Sequence, residues 1–167
     1  MILSILKSLV LGVWLGALIM LGYAVAGPIF HELPSKTMAG AVNGVILGRM
    51  NSIEWLCAII ALVSSLVLLY LKRNKGSRTS RFIECAAILT AVIILWIYSN
   101  PTTDRMNELR STIGDFDHPR QTAEYIEAKN EFDSLHHTYT ALVSANMILI
   151  LGGFILSMIN LQPSKSE

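Results

Sequence analysis

The chain has 167 residues, of which 53% are hydrophobic and only 15% are charged, and its net charge is +1. A soluble domain of this length carries more charge and shorter apolar runs, so the composition indicates a membrane protein. No Lys/Arg-rich stretch lies beside an aromatic platform, which leaves nucleic-acid binding without support. Cys57 and Cys85 are too few for a disulfide framework or a CxxC metal site, and we expect them to pack as small hydrophobes without forming a bridge.

The first apolar segment, Ser8–Phe30, contains no charged residue. Residues 24–26 resemble the cleavage site of a signal peptide. The apolar region is long for a signal peptide, however, and the residues after it make no soluble domain. We therefore predict an uncleaved membrane helix at about residues 8–28. Pro28 is predicted to end it, because proline cannot continue the helical hydrogen-bond ladder.

The second apolar segment is interrupted by charged residues. Thr37–Gly48 is uncharged but too short to span a bilayer, which takes about 20 apolar residues. We predict that it lies at or dips into the membrane interface and joins a second span, at about residues 52–71, through a bend. Arg49 at mid-membrane would cost about 2.5–3.5 kcal/mol. We therefore expect it to lie with Glu54 near the outer membrane boundary.

The two longest polar stretches have opposite charge. Residues 72–81 carry five bases and no acid, whereas residues 102–137 carry eight acids and four bases. Short basic loops stay in the cytoplasm, so both termini are predicted on the cytoplasmic side of the cell (inner) membrane. A third span is predicted at about residues 82–99, with Glu84 in its first turn able to reach the interface. Pro101 is predicted to end this span, as Pro28 ends the first.

The last apolar segment follows a charged helical lead-in without a break. If the two form one helix, Phe132, His136, Tyr139 and Asn146 fall on a single face. We expect His136 to pack against the outer ends of the other spans. His137 points about 100° away and is expected to be solvated.

Together these patterns predict an all-α polytopic membrane protein that forms a single domain over residues 1–167. It is a four-transmembrane-helix bundle with an additional interfacial helix segment, and the extracytoplasmic helical segment at about residues 102–137 leads into the last span. The four spans are predicted at about residues 8–28, 52–71, 82–99 and 138–161.

Imidazole and carboxylate groups, which are ligands for zinc, copper or iron, occur on the expected outer side. They are His31, Glu32, His118, Glu131, Asp133, His136 and His137. His31, His136 and Glu32 are the metal candidates, although the spacing is not a metal signature. The alternative is that His136 forms a hydrogen bond at the rim of the bundle. Haem between facing helices is a further alternative, but no histidine is predicted inside a span, so no cofactor is expected.

The polar residues predicted within the membrane include Asn146 and Asn160. Such groups usually face the bundle and form hydrogen bonds across helices. No ionisable residue is predicted at mid-depth, where proton- or ion-coupled transport usually has one. The pattern therefore favours helix packing over a transport pathway.

Several motifs in a fixed order link the chain to a known family. They are Pro28 and Phe30 within residues 26–30, Gly40 with Gly44, Arg105-Met106, Phe132 with His136, and Asn146. Together they resemble the transmembrane protein 205-like family, also described as domain of unknown function 4149. The resemblance covers roughly residues 9–154 and implies a small multi-span membrane protein with its motif residues on the non-cytoplasmic side. The chain departs from the pattern in Gly27, which interrupts an Ala-Pro pair, and in a long acidic insert before Phe132.

The family has no established reaction, so we expect a non-enzymatic membrane protein with a structural or interaction role. Its partners are the lipid bilayer and either a second copy or another membrane protein. Two alternatives stay open. The first is a metal-handling or small-solute protein that uses His31, His136 and nearby carboxylates, since the chain is also distantly similar to copper-resistance-type membrane domains. The second is a haem-binding membrane redox protein.

Overall fold

The computed structural model describes residues 2–71 and 78–161, and the regular elements in these ranges are all helical. They form four long helices: α1 (Ile2–Glu32), α2 (Lys36–Leu71), α3 (Arg78–Ile113) and α4 (Ala123–Leu161). Each is long and apolar enough to cross a membrane, which confirms the predicted all-α fold with four spans. Most of the predicted basic loop, residues 72–77, lies outside the described residues.

The four helices pack as a bundle in which neighbours in the chain are neighbours in space. α2 contacts α1 and α3, and α4 contacts α3 and returns to contact α1. The core combines large side chains such as Trp14 and Leu95 with Ala58, Ala61 and Ala91. Small residues let helix backbones approach closely, which is the usual way that membrane helices associate.

Two predicted helix ends are wrong, because both helices continue past a proline. In α1 a π-helical turn, Leu21–Ala26, precedes Pro28, and the helix continues to Glu32. In α3 the π-helical turn Tyr98–Thr102 contains Pro101, and the helix continues to Ile113. A π-helical turn accommodates the residue that cannot donate a backbone hydrogen bond. The hydroxyl groups of Thr102 and Thr103 donate to backbone carbonyl oxygens five residues earlier, at 3.0 and 2.7 Å.

The helices are longer than a bilayer requires. α2 has 36 residues and rises about 54 Å, whereas the hydrocarbon core is about 30 Å thick. Thr37–Gly48, expected at the interface, is the first part of α2 and is continuous with the span. We call the end of the bundle that contains this segment the head, and the opposite end, with Lys7 and Arg78, the base. The head consists of Gly27–Glu32, the first part of α2, Thr103–Ile113, residues 114–122 and the start of α4.

The head has a small core of its own. Leu109 and Ile113 on α3 pack against Tyr125 and Ala128 on α4, and partly buried aromatic side chains cover them. Thr122 caps α4, since its hydroxyl oxygen accepts the backbone N–H of Tyr125 at 3.3 Å. The charged lead-in and the last span therefore form one helix, as predicted, although the helix begins at Ala123.

The loop between α3 and α4 is fixed to the N-terminus of α2. Gly114 ends α3 with φ of +69°, a backbone conformation that favours glycine. Asp117 then accepts the backbone N–H groups of Lys36 and Thr37 at 2.7 and 3.1 Å. These hydrogen bonds satisfy donors that the first turn of a helix leaves free, and hold the loop against α2.

Candidate functional site

The base of the bundle contains a buried ion pair between Lys7 on α1 and Glu84 on α3. The two residues are 3% and 1% exposed. The Asn160 side-chain amide donates a second hydrogen bond to Glu84, at 2.8 Å to Oε2. Ser8 and Ser157 form a neighbouring hydrogen bond of 2.7 Å. We call these five residues the base cluster.

Glu84 was expected to reach the membrane interface, and that prediction is wrong. Its side chain points into the bundle, because Lys7 and Asn160 supply a cation and a hydrogen-bond donor there. A cavity of about 10 Å³ adjoins the pair, and the buried Ser65 lies at its wall. Its hydroxyl has no hydrogen-bond partner among the residues that the structure describes. A cavity of this volume is about the size of one water molecule.

A second polar cluster lies nearer the head, and each helix contributes one residue to it. Glu54 on α2, 1% exposed, accepts the indole N–H of Trp14 on α1 at 2.9 Å. The Tyr98 hydroxyl on α3 donates to the same carboxylate oxygen, Oε2. The Asn146 amide on α4 in turn donates to the Tyr98 hydroxyl at 3.2 Å. We call these four residues the central cluster.

The central cluster overturns one prediction. Glu54 does not lie with Arg49 at the membrane boundary: it faces the bundle interior, while Arg49 is exposed. An ionisable residue is therefore buried inside the bundle. The spacing of buried residues on α2 contains this information, since Glu54, Cys57, Ala58 and Ala61 recur at intervals of three and four and so share one helix face.

The two clusters are separated by apolar packing. Glu84 and Tyr98 are fourteen residues apart on α3, a rise of about 21 Å. Buried apolar side chains occupy the layer between them: Leu11, Ala58, Ala61, Ile88, Ala91, Leu95 and Ile150. Within residues 2–71 and 78–161, no chain of hydrogen bonds joins the clusters.

The metal candidates occupy separate exposed positions in the head. His31 Nδ1 lies 3.0 Å from Glu32 Oε1, and both side chains are exposed. His136 is exposed and stacks on Phe132 with 6.5 Å between ring centroids. The expectation that His136 packs against the other spans is therefore wrong. No group of three or more His, Cys, Asp or Glu that could hold a metal occurs among the described residues.

His118, another member of the predicted outer constellation, pairs with Asp115 at 2.8 Å between Nδ1 and Oδ2. This contact raises the pKa of His118. The His118 hydrogen bond and backbone N–H donors lower the pKa of Asp115 to about 2. Asp115 also accepts the Thr37 hydroxyl at 3.2 Å, so this pair holds the loop to α2.

The family-motif residues have mostly structural contacts in the head. Arg105 donates two hydrogen bonds to the Glu131 carboxylate, at 2.7 and 2.8 Å. These bonds raise the pKa of Arg105 and lower that of Glu131. Gly44 makes room for Arg110, whose Nη1 would be 2.7 Å from a Cβ at that position.

Of the remaining motif residues, some lie at the surface of the bundle and others lie in its core. Phe132 packs edge-on against Phe116, with centroids 5.2 Å apart. Asn146 belongs to the central cluster. The other four are partly buried or exposed: Pro28, Phe30, Gly40 and Met106.

Comparison with known proteins identifies a family without a described activity. The family model described as Domain of unknown function (DUF4149) matches residues 9–112. This range includes Trp14, Glu54, Glu84 and Tyr98 but not α4, so the match does not reach Asn146 or Asn160. No curated protein and no solved structure matches the chain closely enough to count as similar. Because the family model covers more than half of the sequence, the chain belongs to the family of domain of unknown function 4149.

Proposed function

We propose that this is a non-enzymatic integral membrane protein that binds a helix of another membrane protein through an apolar surface on its head. The surface is formed by Met38, Val42 and Val45, which are 48%, 39% and 61% exposed. Their spacing of four and three places them on one side of α2. We call these three residues the head stripe.

The position of Arg49 is the observation that carries this proposal. Arg49 is exposed on the same side of α2 as the head stripe. A charged side chain facing lipid is costly at mid-membrane and tolerated at the interface, so Arg49 marks the boundary of the hydrocarbon. The head stripe begins four residues beyond it, a rise of about 6 Å, and ends about 16 Å beyond it. An apolar surface at that height meets water and headgroups unless a partner covers it.

A helix is the partner that best fits this surface. The head stripe is a straight row of medium-sized apolar side chains, and half-exposed Phe30 on α1 extends the apolar area of the head. Rows of this kind pack into the grooves of a second helix. No contact among the described residues favours the metal-handling or haem-binding alternative.

We also propose that the base faces the cytoplasm and the head faces outward. Arg78 and Arg81 at the base continue the basic stretch of residues 72–75, whereas the head carries the acidic excess. A cysteine at Gln121 should react with a membrane-impermeant maleimide added to whole cells, and one at Ser77 should react only after lysis. The reverse labelling pattern would overturn this orientation.

The docking proposal is tested by cross-linking in the native membrane. A photoreactive residue at Val42 should give one discrete adduct, and Val45→Glu in the same chain should abolish it, because a charge in an apolar interface is unpaired. The matched control is Ile126→Glu, which places the same charge at a similarly exposed apolar position on α4.

The proposal holds if Ile126→Glu leaves the adduct intact while Val45→Glu removes it. An adduct of twice the chain mass would identify the partner as a second copy, and another mass would identify a different membrane protein. Cross-linking only to lipid, or equal loss with both variants, would show that the head stripe is not a docking surface.

A further inference from the structure

We propose that the central cluster is a proton-binding site, in which Glu54 takes up and releases one proton on the head side. Tyr98 and Asn146 reverse the direction of their hydrogen bonds when it does so. The inference is independent of the docking proposal. It rests on the partners of Glu54, on an unsatisfied atom of Asn146 and on the position of the cluster along the helices.

The partners of Glu54 are all neutral. In the described part of the chain its carboxylate accepts hydrogen bonds from Trp14 and Tyr98 and has no Lys, Arg or His within ion-pair distance. The titratable groups that face it are Cys57 on its own helix, Tyr98 on α3 and Tyr139 on α4; α1 contributes Trp14. A buried carboxylate without a cation is stabilised by binding a proton, which removes the charge.

The hydrogen bonds around Glu54 can run in either direction. With the carboxylate ionised, Asn146 donates to Tyr98, and Tyr98 donates to Glu54. Asn146 Oδ1 is then buried and has no hydrogen-bond partner within residues 2–71 and 78–161. With the carboxyl protonated, Glu54 can donate to the Tyr98 oxygen. The Tyr98 hydroxyl can then donate to Asn146 Oδ1, once the amide has turned by 180° and exchanged its oxygen and nitrogen.

Trp14 has a different role from Tyr98 and Asn146, whose hydrogen bonds can reverse direction. Its indole N–H is a donor only, so it can hold the same carboxyl oxygen whether Glu54 is ionised or protonated. The ring of Tyr139 packs edge-on against Tyr98, with centroids 5.5 Å apart, and keeps that side chain in place. The carboxyl group is therefore fixed in position while its proton is exchanged.

The location of Glu54 indicates the side from which the proton comes. Glu54 is five residues from exposed Arg49 along α2, a rise of about 8 Å, and seventeen residues from Leu71, about 26 Å. The apolar layer described above lies between the central cluster and the base. Proton exchange with the head side is therefore the shorter route, and the packing opposes passage through to the base.

The proposed step is a simple proton transfer. A hydronium ion on the head side gives its proton to a Glu54 carboxylate oxygen, an O–H bond forms there, and a water molecule remains. No electron changes hands, and the net charge of the cluster changes from −1 to zero. Release is the reverse reaction, with water as the acceptor.

Trp14 offers a direct reporter of this step, because its N–H contacts the titrating carboxyl group. In a chain with Trp55→Phe and Trp96→Phe, Trp14 is the only tryptophan. We expect its fluorescence in detergent to show one reversible transition between about pH 4 and pH 9, fitted by one proton. Glu54→Gln should abolish the transition. The matched control Lys7→Met/Glu84→Gln, which removes the other buried glutamate without leaving an unpaired charge, should leave it in place.

Tyr98→Phe distinguishes proton binding from a purely structural role of the cluster, because a structural role would not change the midpoint pH of the transition. It removes a donor to the ionised carboxylate, so the midpoint should move to higher pH by about one unit or more. If Glu54→Gln fails to fold, the same titration is made with Glu54→Asp. This variant retains a carboxyl group, so it should keep the fluorescence transition but shift its midpoint pH. Absence of any transition in the folded parent chain, or an unchanged midpoint with both Tyr98→Phe and Glu54→Asp, would overturn the proposal.

Discussion

The bundle buries two glutamates to the same extent and stabilises them in different ways. Glu84 in the base cluster has Lys7 beside it, whereas the partners of Glu54 in the described part of the chain are the neutral donors of Trp14 and Tyr98. In the first cluster opposite charges cancel within the protein, and α1 is held to α3 across the bundle. In the second, the charge is balanced by hydrogen bonds alone. The first arrangement suits a fixed contact, and the second suits a group whose charge changes.

Lys7→Met breaks the base cluster and should have the largest effect. It leaves Glu84 buried without its cation, and the loss of one partner of a buried ion pair costs about 3–5 kcal/mol. The free energy of unfolding in mixed micelles, followed by circular dichroism, measures the effect. The control is the double variant Lys7→Met/Glu84→Gln, which buries no charge and should recover most of the lost stability. A double variant as unstable as the single one would mean that packing of Lys7, and not its charge, dominates.

The two glutamates should respond differently to the same substitution. Glu84→Gln leaves the Lys7 ammonium buried without an anion, so we expect a loss of about 3–5 kcal/mol. Glu54→Gln leaves no cation behind, and the new amide oxygen can still accept the Trp14 N–H. We expect a loss of about 1 kcal/mol, as for one weakened hydrogen bond. Equal losses in the same unfolding assay would show that Glu54 is paired with a charge after all.

The sequence was sufficient for the fold, because the length of an uncharged run decides whether a helix can cross a bilayer. The positions at which helices end were harder to predict from the sequence. Pro28 and Pro101 predicted two ends, but π-helical turns carry both helices onward. Burial of Glu54 could have been read from its spacing to Cys57 and Ala61.

The pairing of Lys7 with Glu84 could not be predicted in the same way. It depends on which faces of α1 and α3 meet across the bundle, and that is fixed by the packing of all four helices. The same limit applies to Asn146. Its placement on an inward face was predicted from spacing, but its bond to Tyr98 required the relative heights of α3 and α4.

The head contains a third kind of carboxylate, balanced by backbone N–H groups. Hydrogen bonds from Lys36 and Thr37 lower the pKa of Asp117. A carboxyl group with a lowered pKa stabilises the fold above its unfolded pKa of about 4, and this contribution disappears as the pH falls through the folded value.

Asp117→Asn should therefore lower the melting temperature by a few degrees at pH 7. The difference from wild type should become smaller as the pH falls below about 4, where the unfolded chain binds a proton at Asp117, and should vanish once the folded carboxyl group is protonated as well. Scanning calorimetry at several pH values measures the difference in melting temperature at pH 7 and its decrease at low pH. Asp104→Asn, at an exposed position in the first turn of Thr103–Ile113, is the control and should change less at pH 7. A difference that does not depend on pH would assign the effect of Asp117 to the shape of the loop.

The smallest effects are expected for His136 and His137, whose side chains are both exposed. The two side chains point about 100° apart on the helix, so the sequence predicted a packed His136 and a solvated His137, whereas both are exposed. His136 does stack on Phe132, four residues earlier, with an interplanar angle of 5°. Side-chain pairs at this spacing on a helix typically contribute about 0.2–0.5 kcal/mol. Substitutions at such positions usually change stability by less than about 0.5 kcal/mol. His136→Ala and His137→Ala should both stay within that limit in the assay used for Lys7→Met, with His136→Ala the larger of the two. A loss of more than about 1 kcal/mol from His136→Ala would mean that a partner covers this part of α4 in the assembled protein.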